Sequence, residues 1–196
     1  MKNLLLLMFF LNSTLYAQDV YSSKAFVNTY YHGQKCFSMS NGAYLFYNQD
    51  NHELIITVDF AKFKVGRDTI DEWLDDLVDT KLVFRGQLNT DNLLELTHHN
   101  SKAIIVNGLM TFDNTSHSHS IELTLFEVAQ DGLLQIKNSQ DYFDRINANL
   151  QFAFSPKEFK INKKPHHLTK KISVAIYRGY LNQFKPGMEF WLEGKQ

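Results

Sequence analysis

The chain has 196 residues, with 20 basic and 21 acidic side chains and 44% hydrophobic residues. The length suffices for one domain with a real core. The balanced charge excludes the basic footprint of a nucleic-acid-binding protein, and the hydrophobic content excludes a disordered chain. The 16 Phe and 9 Tyr residues are many for this length, and they suit an interior that fills itself or holds a bulky apolar molecule.

The first residues have the pattern of a signal peptide. Lys2 precedes an apolar run over residues 4–11, and a small-residue segment follows that ends at Ala17. The run is far shorter than the ~20 residues of a membrane-spanning helix, and a buried core helix is the alternative interpretation. We expect cleavage after Ala17. Residues 1–17 are then a signal peptide, and residues 18–196 form a single exported domain, periplasmic or secreted and not membrane-spanning.

Cys36 is the single cysteine of the chain. An exported protein with one cysteine has no internal disulfide. We interpret Cys36 as a small, half-buried apolar residue. A reactive thiol or a link to a second chain is the alternative.

The segment HELIITVDFAKFKV predicts a strand followed by a break. Residues 54–60 place larger apolar side chains at alternate positions, which is the period of a strand with one apolar face. Ala61 and Lys62 both intervene before Phe63. This change of phase predicts a β-bulge at residues 61–62.

One amphipathic helix stands out in DTIDEWLDDLV. Asp68 is the expected N-cap, and acidic residues in the first turn favour the positive end of the helix dipole. Its acidic face is interpreted as a solvated surface and not as a catalytic carboxylate pair. Its apolar positions follow the helical spacing and are Ile70, Trp73, Leu74, Leu77 and Val78.

Further strands are predicted along the remainder of the chain. Many antiparallel strands with one short helix indicate a mainly all-β barrel or sandwich, and a closed barrel has the advantage that no strand edge is exposed. The apolar positions at period two are Leu82 and Phe84; Ile104, Val106, Met110 and Phe112; Ile121, Leu123 and Leu125; Leu150, Phe152 and Phe154; and Ile172, Val174 and Ile176.

The histidines do not form a recognisable metal site. His117 and His119 would point to the same side of a strand, which gives two ligands where zinc needs three or four. The pairs at 98–99 and 166–167 are adjacent, so their side chains point to opposite faces. We expect His117 and His119 to lie past a turn from Ile121, at the rim of the fold, where a ligand headgroup is one possible contact. We therefore predict no metal, no cofactor and no catalytic residue.

A lysine-rich segment, NKKPHHLTKK, lies near residue 165. We interpret it as a solvated loop. The alternative is an electropositive mouth that meets a phosphate or an anionic membrane surface. Its lysines are Lys163, Lys164, Lys170 and Lys171.

The order of these segments resembles the YceI-like family. The succession ITVDFAKFKV, TIDEWLDDL and TKLVFRGQL is similar to the family's strand, short acidic and aromatic helix, and strand ending in Phe-Lys-Gly, here Phe84-Arg85-Gly86. VNGLMTFDNTSHSHSIELTL resembles the family's paired strands. FSPKEFKINKKPHHLTKKISVAIY resembles its last two strands and their lysine-rich link. The resemblance covers roughly residues 37–181.

The resemblance implies an extended antiparallel eight-stranded β-barrel, lipocalin-like, with one short amphipathic helix. It also implies an apolar, isoprenoid-like lipid held in the interior. At about 0.8 kcal/mol per buried methylene, a chain of about ten carbons would offset an association cost of several kcal/mol. The residues expected to contact this ligand are Phe60, Phe63, Trp73, Phe84, Met110, Phe112, Leu125, Phe152 and Phe154.

Three functional hypotheses follow from the sequence. The first is an exported, non-enzymatic protein that holds an isoprenoid-like or fatty-acid-like lipid inside a barrel. The second is a structural or interaction barrel that its own side chains fill. The third, a hydrolase or metal enzyme, needs a converging polar site, which the sequence does not offer. Open barrel edges often pair, so a homodimer is a further expectation.

Overall fold

The computed structural model describes residues 20–76, 80–89, 101–112, 114–127, 146–159, 161, 165–168 and 171–192. The predicted signal peptide lies outside these residues. The described chain forms a closed antiparallel barrel of eight strands with one α-helix, so the predicted fold class is confirmed. Within the same residues, no helix has the length and apolar character required to span a membrane.

Each strand follows its neighbour in sequence around the barrel. The helix α1 lies between the third and fourth strands, and a 3-10 turn precedes it. The strands are β1 Ser23–Tyr31, β2 Gln34–Asn48, β3 Glu53–Asp59, β4 Lys81–Gln87, β5 Ser101–Phe112, β6 Thr115–Glu127, β7 Ile146–Phe154 and β8 Ile172–Gln183, with α1 at Asp68–Asp75.

The barrel closes along a seam where β1 lies between β8 and β2. Ala25 of β1 pairs with Ile176 of β8 and with Ser40 of β2. Beyond the start of β1, β2 and β8 meet directly in a short parallel pairing, Leu45 with Leu181. The seam is therefore hydrogen-bonded past the end of its shortest member, and no edge is left there.

Because the strands alternate in direction, the connections gather at two ends of the barrel. The helix end, as we call it, carries the β1–β2 hairpin, the β3–β4 connection with α1, the β5–β6 hairpin and the β7–β8 connection. The far end carries the other three connections.

The helix α1 covers the barrel with one apolar face. Ile70, Trp73 and Leu74 are buried, as their spacing predicts, while the predicted apolar positions 77 and 78 lie outside the described residues. The predicted N-cap is wrong, because Asp68 is the first helical residue and Arg67 occupies the cap without a side-chain hydrogen bond.

The carboxylate of Asp71 organises the turn that leads into the helix. It accepts hydrogen bonds from the backbone N–H groups of Val65 (2.7 Å) and Gly66 (3.0 Å). Gly66 has φ of +71°, a conformation that glycine adopts without steric cost. The turn before α1 is thus held by Asp71, a residue within the helix, and not by the side chain of the N-cap residue.

The break after β3 is a 3-10 turn and not the predicted bulge. The turn spans Phe60–Lys62 and ends the strand at Asp59. The Asp59 carboxylate accepts hydrogen bonds from the backbone N–H of Ala61 (3.1 Å) and the hydroxyl of Thr80 (2.9 Å). These bonds stabilise the turn, which bends the chain across the helix end.

Strands β4 and β5 come unusually close at a pair of glycines. Gly86 and Gly108 are directly opposite in the register. A Cβ atom added at Gly108 would run into the backbone carbonyl of Arg85, and one at Gly86 would lie 2.7 Å from a methyl carbon of Val106. The absence of a side chain is therefore required at both positions.

The last described residues form a second layer outside the barrel. We call residues 184–192 the C-terminal strap. Its Phe184 ring lies 5.6 Å from that of Phe46, a fully buried outward residue of β2, and Trp191 lies 4.6 Å from Tyr44. The Lys81 ammonium donates to the carbonyl of Phe190 at 3.1 Å. The strap therefore covers the outer face of β2 and reaches the start of β4.

Candidate functional site

The interior of the barrel is mostly apolar, although β1 and β2 also have buried hydroxyl residues at inward positions, namely Ser23, Thr29 and Ser38. Alternate residues point inward, as period two predicts, and they form one continuous core with the helix. Representative inward residues of β1 to β8, in order, are Val27, Leu45, Ile56, Leu82, Met110, Leu123, Leu150 and Val174.

An aromatic cluster fills the helix end of this interior. Phe60, Phe112 and Phe154 are in mutual contact, with ring centroids 5.4 to 5.8 Å apart. Phe63 lies 5.8 Å from Phe60, and Phe159 lies 5.8 Å from Phe154. These separations are those of directly packed rings. No alkyl chain fits between them, so this end is packed by the protein itself.

All nine predicted ligand residues are buried, but the structure does not bring them all together. Four are in the aromatic cluster, and Trp73 lies on the buried face of α1. Phe84 and Met110 are paired across β4 and β5 in the middle of the barrel. Leu125 lies toward the far end, opposite Ala148 of β7. The four cluster residues are Phe60, Phe63, Phe112 and Phe154, and the last of the nine is Phe152.

Phe159 is a member of the cluster that the sequence analysis did not identify. It follows β7 in a turn, where the backbone N–H of Ile161 donates to the carbonyl of Pro156. Residues in turns have no strand or helix period. The one available signal was that Phe159 lies three residues after Pro156.

The far half of the interior is aliphatic. Its inward side chains from β2, β3, β5 and β6 have no exposed surface or almost none. These branched side chains are smaller than the aromatic rings, and those of valine and isoleucine are restricted at χ1. They are Leu45, Leu54, Ile56, Val106, Ile121, Leu123 and Leu125.

Polar groups reach the interior at the far end. Tyr47 is fully buried, and its hydroxyl lies 3.1 Å from Nδ1 of His52 and donates to the carbonyl of Leu88 at 3.4 Å. On β5, Ile104 and Lys102 share the inward parity of Val106 but are only partly buried. The strand therefore runs from the core to the surface at this end, where it carries an amine.

The two histidines lie on the same strand as the apolar residues beside them, contrary to the prediction. The hairpin between β5 and β6 closes at Asn114, whose φ is 59°, so no turn separates His117 and His119 from Ile121. The ring of His117 packs edge-on against Phe159, with centroids 5.3 Å apart. His117 therefore continues the aromatic cluster toward the solvent.

Metal coordination finds no support in the part of the chain that the structure describes. There, no three His, Cys, Asp or Glu side chains are grouped so that they could hold a metal ion. His32 and His167 do stack, with ring centroids 3.8 Å apart, but this contact joins the β1–β2 hairpin to the segment before β8. Cys36 is buried, more deeply than predicted, and its thiol lies 3.7 Å from the carbonyl of Gln34.

A groove of about 250 Å³ lies on the outside of the barrel. Its walls come from β6, β7 and β8 and mix polar and apolar groups. None of the nine predicted ligand residues is part of it. Its lining residues are Glu122, Thr124, Asn149, Leu150, Gln151 and Tyr177.

Comparison with known proteins finds similarity in structure and not in sequence. No family model and no curated protein matches the chain. A polyisoprenoid-binding domain of Saccharophagus degradans, implicated in plant cell wall breakdown, matches with a TM-score of 0.58 at 7% identity, over 81% of this chain and 96% of that domain. BcnA of Burkholderia cenocepacia matches with a TM-score of 0.50 at 11% identity, over 79% and 93%. The Campylobacter jejuni YceI protein gives 0.43 at 16% identity, over 68% and 76%.

The chain has the YceI-like barrel fold. The matches extend over most of both chains for the first two structures, and at these identities the likeness is one of fold. The YceI-like resemblance predicted over roughly residues 37–181 is confirmed at that level. A shared fold by itself assigns neither a ligand nor a function.

Proposed function

We propose that this YceI-like barrel is an exported, non-enzymatic binding protein that holds one apolar chain, isoprenoid-like or fatty-acid-like, in its interior. The observation that carries the proposal is a closed barrel in which all eight strands direct apolar side chains inward. The fold it shares with a polyisoprenoid-binding domain supports the same class of ligand. Such a chain gains affinity from buried area alone, at about 0.8 kcal/mol per methylene.

We place the ligand in the aliphatic far half of the barrel. The rings of the aromatic cluster are in direct contact. The helix end is therefore closed and forms the floor of the space in which we place the ligand. Of the predicted contact residues, Leu125 therefore touches the chain itself, whereas Phe112 and Phe154 support the floor. A charge at either phenylalanine would disrupt folding as well as uptake, which makes both poor probes of the ligand.

The ligand enters at the far end in this proposal. Ile104 is inward in register yet partly exposed, as expected of a residue at a mouth. Lys102, two residues nearer the surface, lies beside Leu125 in the register. A lysine there can bury its alkyl stem along the apolar wall while its ammonium meets a polar or anionic headgroup.

A second candidate function rests on a specific observation. Inward side chains in the far half, such as Leu54, Ile56 and Leu123, have no exposed surface at all. A barrel packed in this way throughout would serve as a structural or interaction module without a small ligand. Uptake of a lipid would instead require these aliphatic side chains to change rotamer and separate.

The two candidates are distinguished by native mass spectrometry of the protein purified from its export compartment, followed by solvent extraction. We expect an additional mass that extracts as a lipid, and reloading when a polyisoprenol is added to the extracted protein. A bare polypeptide that takes up neither polyisoprenol nor fatty acid would establish the self-filled barrel.

A matched pair of variants locates the mouth. Ile104→Glu places a carboxylate on the inward side of β5, whereas Ile105→Glu makes the same change at a neighbour that is 70% exposed on the outside. We expect the first to lose polyisoprenol uptake by about tenfold or more, since a charge at the mouth must be desolvated. Equal uptake by both variants would contradict entry at this position.

Export and assembly are proposed on the sequence alone. We expect the protein recovered from the periplasm or medium to begin at Gln18, as Edman sequencing would determine. The predicted single domain over residues 18–196 and the predicted homodimer stay predictions, and sedimentation velocity of the purified protein measures the latter.

A further inference from the structure

Charge is distributed unevenly around the barrel. Strands β1, β2, β4, β5, β7 and β8 contain no Asp or Glu. Acidic side chains occur instead on β3, at α1 and on β6, as at Glu53, Asp75 and Glu122. The outside of β2, β1 and β8, which are neighbours, therefore carries charge of one sign only.

The same three strands expose large apolar side chains. Phe37 and Met39 of β2 are each 51% exposed, and Tyr177 of β8 is 53% exposed. Phe26 of β1 lies between them, with its ring centroid 5.9 Å from that of Phe37 and 5.6 Å from that of Tyr177. The four form one contiguous patch. Contiguous patches of this kind on a soluble domain indicate an interaction site.

Two lysines flank this patch. Lys24 is an exposed outward residue of β1 beside Tyr177, because Ala25 pairs with Ile176. Lys35 is an exposed outward residue of β2, two positions before Phe37. We define the basic aromatic face as Lys24, Phe26, Lys35, Phe37, Met39 and Tyr177. It combines aromatic rings with amines, and the only carboxylate among the described residues that the structure places beside it is Glu122, which shares the outer groove with Tyr177.

We propose that the basic aromatic face docks the barrel onto the surface of an anionic lipid membrane. Aromatic side chains favour the headgroup region of a bilayer, where an apolar ring meets water. Lysines beside them are attracted to anionic lipid, and their stems can lie in the apolar boundary while the amines remain among the phosphates. A sheet face of one charge sign is complementary to such a surface.

Charge also argues against a second copy of the chain as the occupant. A two-fold dimer through this face would bring Lys24 and Lys35 of both copies together without a carboxylate to pair with them, and like charges opposed across an interface are repulsive. The inference does not depend on a ligand inside the barrel, because docking uses outward residues alone. Vesicle binding and lipid uptake therefore fail or succeed separately.

The test is co-sedimentation of the purified protein with vesicles of phosphatidylglycerol and phosphatidylcholine, compared with vesicles of phosphatidylcholine alone. The apolar variant is Phe37→Ser with Met39→Ser, and its matched control is Ile105→Ser with Leu109→Ser, which removes two exposed residues from the outside of β5. The charge variant is Lys35→Glu. Its control is Lys157→Glu, the same charge change at an exposed lysine in the turn that follows β7.

We expect binding to the anionic vesicles only, and loss of most of it at about 1 M salt, where charges are screened within about 3 Å. Each face variant should lower the partition coefficient between anionic vesicles and solution by about tenfold. Both controls should bind these vesicles as the parent does. All four variants should unfold at similar temperatures. Equal binding to both vesicle types, equal losses in the controls, or no vesicle binding would overturn the proposal. So would a dimer that the Phe37→Ser, Met39→Ser variant dissociates.

Discussion

Asn182 holds together the seam at which the barrel closes. Its side chain is buried, donates to the carbonyls of Leu45 and Tyr21 at 3.0 Å each, and accepts from the backbone N–H of Tyr21 at 2.8 Å. Three elements, namely β8, β2 and the segment before β1, thus meet at one amide. A buried amide that satisfies this many backbone groups cannot be removed without leaving some of them unpaired.

We predict that Asn182→Ala lowers the free energy of unfolding by about 2–4 kcal/mol. Gln183→Ala is the matched control, because this neighbouring amide has an Oε1 atom that accepts no hydrogen bond within the described chain. The control should lose less than about 1 kcal/mol. Urea denaturation of both variants measures the difference, and equal losses would contradict the role assigned to Asn182.

At the residue scale, the sequence predicted most of the inward side chains and few of the polar contacts. Alternation is a local property, so Ile56, Phe84 and Leu123 were correctly assigned to one face from their neighbours alone. The partners of Asn182 lie far from it in sequence, and an isolated Asn in a strand has no pattern that predicts them. The turn beside His117 was predicted wrongly for a related reason, since it was placed after the histidines and not at Asn114.

Among the elements, the sequence analysis predicted neither β1 nor the C-terminal strap. The strap has no strand period, and its three-residue 3-10 helix, Glu189–Trp191, is too short to give a helical one. Its function is visible only in the structure, where it covers Phe46 on the outer face of β2. A fully buried phenylalanine on the outside of a barrel requires such a cover.

We predict that truncation after Gln183 destabilises the barrel by at least about 3 kcal/mol, because Phe46 becomes exposed and the packing of Phe184 and Trp191 is lost. Truncation after Leu192 is the control, since it keeps the whole strap. Thermal unfolding followed by circular dichroism compares the two proteins. A barrel of unchanged stability without the strap would contradict its structural role.

At the scale of the whole molecule, the barrel has two interiors of different character within one hydrogen-bonded ring. The aromatic cluster joins the end of β3 to β5 and β7 through Phe60, Phe112 and Phe154. Among the residues that the structure describes, the aliphatic half has no such contacts between rings. The difference matters for the proposed function, because only the half that can repack is able to admit a chain, and the other half must hold the strands in place while it does.

Because the strands form one continuous hydrogen-bonded ring, we predict that the barrel and its helix unfold in a single cooperative transition. The two tryptophans lie in different places, Trp73 on α1 at the helix end and Trp191 on the strap. We expect Trp73→Phe and Trp191→Phe, each of which leaves a single fluorescent reporter, to show the same urea midpoint for fluorescence as for far-ultraviolet circular dichroism. Neither change should cost much stability, since the indole Nε1 of Trp73 has no hydrogen-bond partner among the described residues and a phenylalanine preserves a ring at both sites.

If the fluorescence of Trp73 in the Trp191→Phe variant changed at a lower urea concentration than the circular dichroism, the helix end would open independently of the ring of strands. The aromatic cluster would then be a movable gate and not a floor, and entry of the ligand would have to be assigned to that end.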